Sequence, residues 1–266
     1  MDSSKIEKPQ ISTETHDRTM SIIAHLDEFR TRLIRCTLLV VVLSIVSYIF
    51  SQDIIEWLKR EFCPGLENIV FTRPLELFII RLKAALYLAL LGGVPYIAFE
   101  VWQFIAPGLF PKERKYVTIF AIVSSVLFAT GGAFALFFIY PSVIKLSVGM
   151  ASPEIVPMIT VESVVNLAAM LILGFGIMFQ LPIFVFILVA SGLVKVEAMS
   201  KARPFIVVAI FIISAVLTPP DIISQLAMAL PSLLLFEISL LAVRLFLRKK
   251  RLQRHREQDV EGTVND

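Results

Sequence analysis

From Leu33 to Phe50 the chain places a single charge, Arg35, among eighteen mostly aliphatic and aromatic positions. Five further apolar runs follow: Leu77 to Trp102, Val117 to Tyr140, Val165 to Ser191 (interrupted by Pro182), Pro204 to Leu217 and Ile222 to Phe246. A helix crosses the ~30 Å hydrocarbon core with ~20 apolar residues. Open strands would leave backbone groups unsatisfied in lipid, so these runs predict helices. The pattern predicts an all-α membrane protein with six transmembrane helices. It shows no internal repeat, heptad pattern or low-complexity tract.

The last two runs stand apart. Pro204 to Leu217 covers 14 residues, about 21 Å as a helix, short of the hydrocarbon thickness. The turn TPPD, Thr218 to Asp221, then reverses the chain, because Pro219–Pro220 cannot continue a helix. The sixth run carries Pro231 and Glu237 and is expected to be effectively short as well. A short pair must thin the bilayer or draw polar groups inward; on this feature alone, a hairpin sheltered by its neighbours is the favoured reading. Ser51 to Glu76 and Pro141 to Val164 carry prolines and are expected to form small caps with short helices. Residues 1–20 read as a disordered tail, 21–246 as the membrane domain, and 247–266 as a basic and then acidic tail.

Composition agrees. Of 266 residues, 57% are hydrophobic and 18% charged, and mean hydropathy is +0.80. Soluble domains carry about a quarter charged residues. Net charge is +3, and the bases cluster beside apolar runs, where the positive-inside rule accounts for them without nucleic acid. Arg18, Arg30, Arg32 and Arg35 precede or open the first run. Lys112, Arg114 and Lys115 lie between the second and third, and Lys195, Lys201 and Arg203 between the fourth and fifth. RKKRLQRHR, Arg248 to Arg256, follows the sixth. With six spans all four clusters share one side, so both termini are expected to be cytoplasmic, and the C-terminal cluster is expected to anchor topology on anionic lipid. Cys36 and Cys63 are expected near opposite faces, which argues against a disulfide. The polar first ~30 residues lack the apolar stretch and small-residue cleavage site of a secretory signal.

Enzyme signatures are missing. The chain has no GxxxxGK[ST] phosphate loop, no HExxH and no GxSxG. His16, His25 and His255 are scattered over the tails, a poor basis for a metal site. The polar residues within the runs that stand out as candidates are Glu100, Gln180, Gln225 and Glu237. Glu100 and Glu237 lie toward the cytoplasmic ends and are expected to snorkel or pair locally. Gln180, in FGIMFQLP just before Pro182, has two readings: it bonds backbone groups freed by the proline, or it lines a polar indentation in the bilayer.

HLDEFRTRL, His25 to Leu33, sits at the edge of the first run. In a helix Glu28 and Arg32 are i,i+4 partners and Asp27 and Arg30 are i,i+3, while Leu26, Phe29 and Leu33 share an apolar side. One reading is an interfacial amphipathic helix with internal ion pairs worth ~0.2–0.5 kcal/mol each. The other keeps Glu28 available for an external cation.

Four stretches together resemble one family. HLDEFRTRL, VWQFIAPGLFPKER (Val101 to Arg114), FGIMFQLP and LTPPDIISQ (Leu217 to Gln225) look like TatC, the receptor subunit of the twin-arginine protein translocase, over nearly the whole chain from His25 to about Arg244. The resemblance implies a six-helix, cup-shaped membrane protein with cytoplasmic termini, located in a bacterial inner membrane or, in a plastid, the thylakoid. It implies a receptor that binds the paired arginines of signal peptides on folded precursors. Such a receptor gathers single-span TatA- and TatB-type partners, self-associates in a larger complex and is driven by the proton-motive force, with no cofactor. Glu28 and Glu113 match the family glutamates implicated in twin-arginine recognition, and carboxylates suit forked guanidinium donors. Arg30 matches an arginine that positions the site, and Phe104 and Pro107 shape the groove beside Glu113. Gln180, Thr218, Asp221 and Gln225 match positions implicated in docking a partner helix.

This sequence departs from the family pattern in three places. Phe29 replaces a leucine, Glu100 stands where glutamine is common, and Gln180 cannot titrate as the family's alternative glutamate would. A second function class, a small-solute secondary transporter, rests on the broken fourth run, since such transporters bind at interrupted helices. It predicts inverted repeats, which the sequence lacks. A membrane-embedded enzyme has no catalytic constellation behind it.

Overall fold

A computed structural model of the chain describes residues 12–62, 74–109, 115–149, 159–218 and 222–264, almost entirely as helix. Among them, five helical segments are long and apolar enough to cross a membrane, and a sixth apolar helix is shorter.

The first helix, α1 (Ser12–Phe62), has 51 residues, about 76 Å at 1.5 Å per residue. It outruns the bilayer on both sides. Residues 12–20, expected as part of a disordered tail, therefore belong to a helix, and residues 51–62 extend the first span instead of forming a separate cap. Once nucleated, a helix adds residues at little further cost, so polar flanks prolong it. α1 packs along α2 (Glu76–Leu109). Its outer aliphatics, such as Leu38, Ile45 and Ile49, remain exposed, as lipid-facing positions require.

The third span is α3 (Lys115–Phe134), a π-helical segment Ala135–Ile139, and α4 (Tyr140–Gly149). It passes beyond the expected end at Tyr140 because the wide turn accommodates Pro141. The proline ring would otherwise press on the carbonyl of Phe137, inside that turn. The backbone N–H of Tyr140 accordingly donates to the Ala135 carbonyl.

The fourth span breaks where the sequence predicts it. α5 (Val161–Met178) starts on Thr160, whose hydroxyl accepts from the Ser163 N–H, and α6 (Leu181–Ala190) starts with Pro182 in its first turn. Proline there removes an N–H that has no helical partner in any case. α3 and α5 approach closely through glycines. A Cβ at Gly131 would lie 2.7 Å from the Phe175 carbonyl oxygen, and one at Gly176 would lie 2.6 Å from the Phe128 ring. Gly131→Ala is expected to destabilise the protein by about 1–3 kcal/mol, since backbone must move to admit the methyl. Thermal unfolding in detergent measures this, and an unchanged midpoint would contradict the close α3–α5 contact.

A short helix α7 (Val196–Lys201) leads into α8 (Arg203–Leu217), whose 15 residues bear out the short fifth run. The sixth is not short. α9 (Ile222–Val264) runs 43 residues straight through Pro231. Of the two residues that suggested a break, Glu237 pairs with Arg203 of α8 at 2.9 Å, and the helix passes Pro231 without the bond that its missing N–H would have made to the Ala227 carbonyl. The main core gathers Tyr140, Leu171, Phe175, Ile210, Phe236 and Leu240 where α4, α5, α8 and α9 meet.

Candidate functional site

The i,i+4 spacing of Glu28 and Arg32 delivers the expected contact. Arg32 Nε and Nη2 donate to Glu28 Oε1 at 3.1 and 2.5 Å. The i,i+3 pairing of Asp27 with Arg30 is not made among the described ion pairs. Arg30 is exposed and stands outside the cluster that Arg32 organises.

That cluster extends to α2. Arg32 Nη1 donates to Glu100 Oε2 at 2.6 Å and to Gln103 Oε1 at 2.8 Å. Glu100 is only 4% exposed. Its other oxygen accepts from the Tyr96 hydroxyl at 2.9 Å and faces Arg35 at 3.8 Å. The departure at position 100 therefore installs a buried carboxylate beside the HLDEFRTRL segment. The expected local pairing is met by Tyr96, four residues back, and the bond to Arg32 adds a tertiary contact that joins α1 to α2. Gln103 went unnoticed, because a glutamine at a helix end carries no signal by itself.

Aromatic rings close one side. Phe104 stacks on the His25 ring at 4.2 Å between centroids, nearly parallel, and Phe29 leans on Phe104 at 5.5 Å. His25 Nδ1 lies 3.7 Å from Glu28 Oε2. Glu28, His25 and Phe104 thus adjoin one another, with the Glu28 side chain 37% exposed. Guanidinium groups bind both to carboxylate forks and to aromatic faces, and this surface offers the two together. Pro107 lies within α2. Glu113 lies outside the described residues.

The second group of expected residues does not gather around this surface. Gln180, at the α5–α6 break, donates through Nε2 to the Ser124 carbonyl of α3 at 2.9 Å. It does not serve a group freed by Pro182. Ser124 Oγ in turn accepts from Trp102 Nε1 at 2.7 Å, so α2, α3 and the broken span share one buried polar junction. Thr218 caps α8 through its hydroxyl to the Ser214 carbonyl at 2.8 Å, and Gln225 Nε2 bonds the Phe211 carbonyl at 3.1 Å, bracing α8 on α9. Asp221 lies outside the described residues.

Two cations inside the second run were overlooked. Lys83 donates to Glu162 of α5 at 2.6 Å, and Arg81 lies over the Tyr48 ring at 5.1 Å. Both are rare residue types within an apolar run. That rarity was the available signal.

Comparison with known proteins places this chain in a family. The family model for Sec-independent protein translocase protein (TatC) matches residues 24–231. The chain is 34% identical to the Sec-independent protein translocase protein TatC of Haemophilus influenzae over 233 residues, covering 86% of this chain and 91% of the relative. It is 35% identical to that of Rickettsia prowazekii over 225 residues, covering 82% and 90%. A crystal structure of the twin-arginine translocase receptor TatC superposes with a TM-score of 0.74 at 29% identity, covering 83% of this chain and 98% of the other. Family, length and fold all agree, and the chain belongs to the TatC family of Sec-independent protein translocase proteins.

Proposed function

We propose that this chain is the signal-peptide receptor of its translocase. It recognises paired arginines with Glu28, on the α1–α2 surface, and Glu113 as acceptors, Arg30 positioning the site, and Phe104 and Pro107 shaping the groove. As a TatC family member it is a multi-pass inner-membrane component of a protein translocase. The observation that carries the reading is that Glu28 already receives a guanidinium, from Arg32, beside an aromatic face. The surface has the chemistry of an arginine site. The positive-inside distribution supports a cytoplasmic location for it.

Recruitment of single-span TatA- and TatB-type partners, self-association and coupling to the proton-motive force complete the reading. The proposed docking region is Gln180 with Thr218, Asp221 and Gln225 at the α8–α9 turn. Gln180 bonds to α3, and Thr218 and Gln225 brace the hairpin internally. Their contribution to docking is to hold the shape of the short-helix face. A small-solute transporter is not favoured, since the chain belongs to a protein translocase family.

Titration of the purified chain with a labelled twin-arginine peptide tests the reading. A Lys-Lys counterpart is expected to bind roughly tenfold more weakly, because an ammonium lacks the planar fork. Equal affinity of the two peptides would refute recognition by carboxylate and fork.

A further inference from the structure

Glu28, the proposed acceptor for an incoming guanidinium, already holds one. Arg32 directs Nε and Nη2 to Glu28 and Nη1 to Glu100 and Gln103. The two carboxylates differ in access. The Glu28 side chain is 37% exposed and that of Glu100 is 4% exposed, with Arg32 between them at 14%. A ligand arriving from solvent meets Glu28, while Glu100 is covered by Arg32 on one oxygen and by Tyr96 and Arg35 on the other.

We propose that Arg32 is an internal ligand of the receptor surface, displaced from Glu28 by a signal-peptide arginine, and that Glu100 is the acceptor onto which it withdraws. This rests on the twin-arginine reading of Glu28. The exchange conserves charge pairing. Glu28 trades Arg32 for the peptide's guanidinium, while Arg32 keeps Glu100 and Gln103. With a neutral residue at position 100, a released Arg32 would have only amide partners in a largely buried position, and an unpaired buried charge is strongly unfavourable. Tyr96 occupies the oxygen of Glu100 that faces away from Arg32, so the other oxygen is left for the guanidinium. Displacement weakens every cationic ligand by the same factor. It therefore sets an affinity threshold, and a forked donor crosses that threshold before a lysine does.

The test is a fluorescence titration of the purified full-length protein with a labelled twin-arginine peptide. Glu100→Gln is expected to weaken binding roughly fivefold, because Arg32 loses its charged alternative and stays on Glu28. Arg32→Gln combined with Glu100→Gln is expected to bind roughly three- to tenfold more tightly than the wild type, because the internal competitor is gone. That double variant keeps the wild-type net charge, so a purely long-range charge effect would leave its affinity unchanged. Unchanged affinity in Glu100→Gln, or a double variant no tighter than the wild type, overturns the proposal. If the double variant does not fold, Glu100→Gln is titrated at low and high salt: a weakening that persists at high salt supports the proposal, and one that salt abolishes, or no weakening, overturns it. Glu28→Gln separates the two levels. Loss of binding there with no effect of Glu100→Gln removes the displacement mechanism alone, whereas wild-type binding by Glu28→Gln removes the recognition surface and the mechanism with it.

Discussion

Replacing Glu28 and Glu113 together by alanine is expected to reduce affinity for a twin-arginine peptide on the order of 10²- to 10⁴-fold. Each carboxylate contributes a charge-assisted contact of about 1.5–3 kcal/mol, and every 1.4 kcal/mol is tenfold in affinity. The loss would not reflect collapse of the α1–α2 contact. Without Glu28, Arg32 still has Glu100 at 2.6 Å and Gln103 at 2.8 Å, so the two helices stay joined. Isothermal titration or crosslinking of a signal peptide to both regions measures the effect. Affinity within about threefold of the wild type would remove both residues from the recognition surface.

The membrane architecture was largely legible because the hydrocarbon core imposes a length on each apolar run. The break at Gln180–Leu181 was legible too, since Pro182 dictates where a new helix begins. Element ends were harder to read. Pro231 and Glu237 look disruptive along the chain, yet α9 continues through both, and Glu237 takes its partner from Arg203, 34 positions away in sequence. The π-helical turn before Pro141 likewise let a span continue past a proline.

The recognition surface divides the same way. The Glu28–Arg32 pair follows from helical spacing alone. The Arg32–Glu100 bond joins residues 68 apart and depends on which faces of α1 and α2 meet, a matter of packing that no local pattern encodes. The Gln180–Ser124 bond, across 56 residues, had the same obstacle. What the chain did display was a substitution: an acid where the family resemblance implies an amide. Position 100 was therefore visible as unusual, but its partner was not.

That partnership yields the largest expected effect on stability. Arg32→Gln alone is expected to destabilise the protein by about 3–5 kcal/mol, because it leaves the Glu100 carboxylate buried without its principal counter-charge. What remains near Glu100 is the Tyr96 hydroxyl at 2.9 Å and an exposed Arg35 at 3.8 Å. Thermal unfolding in detergent is expected to show a midpoint lowered on the order of 10 °C. Adding Glu100→Gln is expected to recover most of the loss, since the amide carries no charge to compensate. An unchanged midpoint in Arg32→Gln, or no recovery in the double variant, would mean that Glu100 is not held as a buried carboxylate by Arg32. The same two variants divide the roles of Arg32. Stability reports its bond to Glu100, and peptide affinity in the rescued double variant reports its occupation of Glu28. A residue that only braced α1 against α2 would move the first measurement and leave the second unchanged.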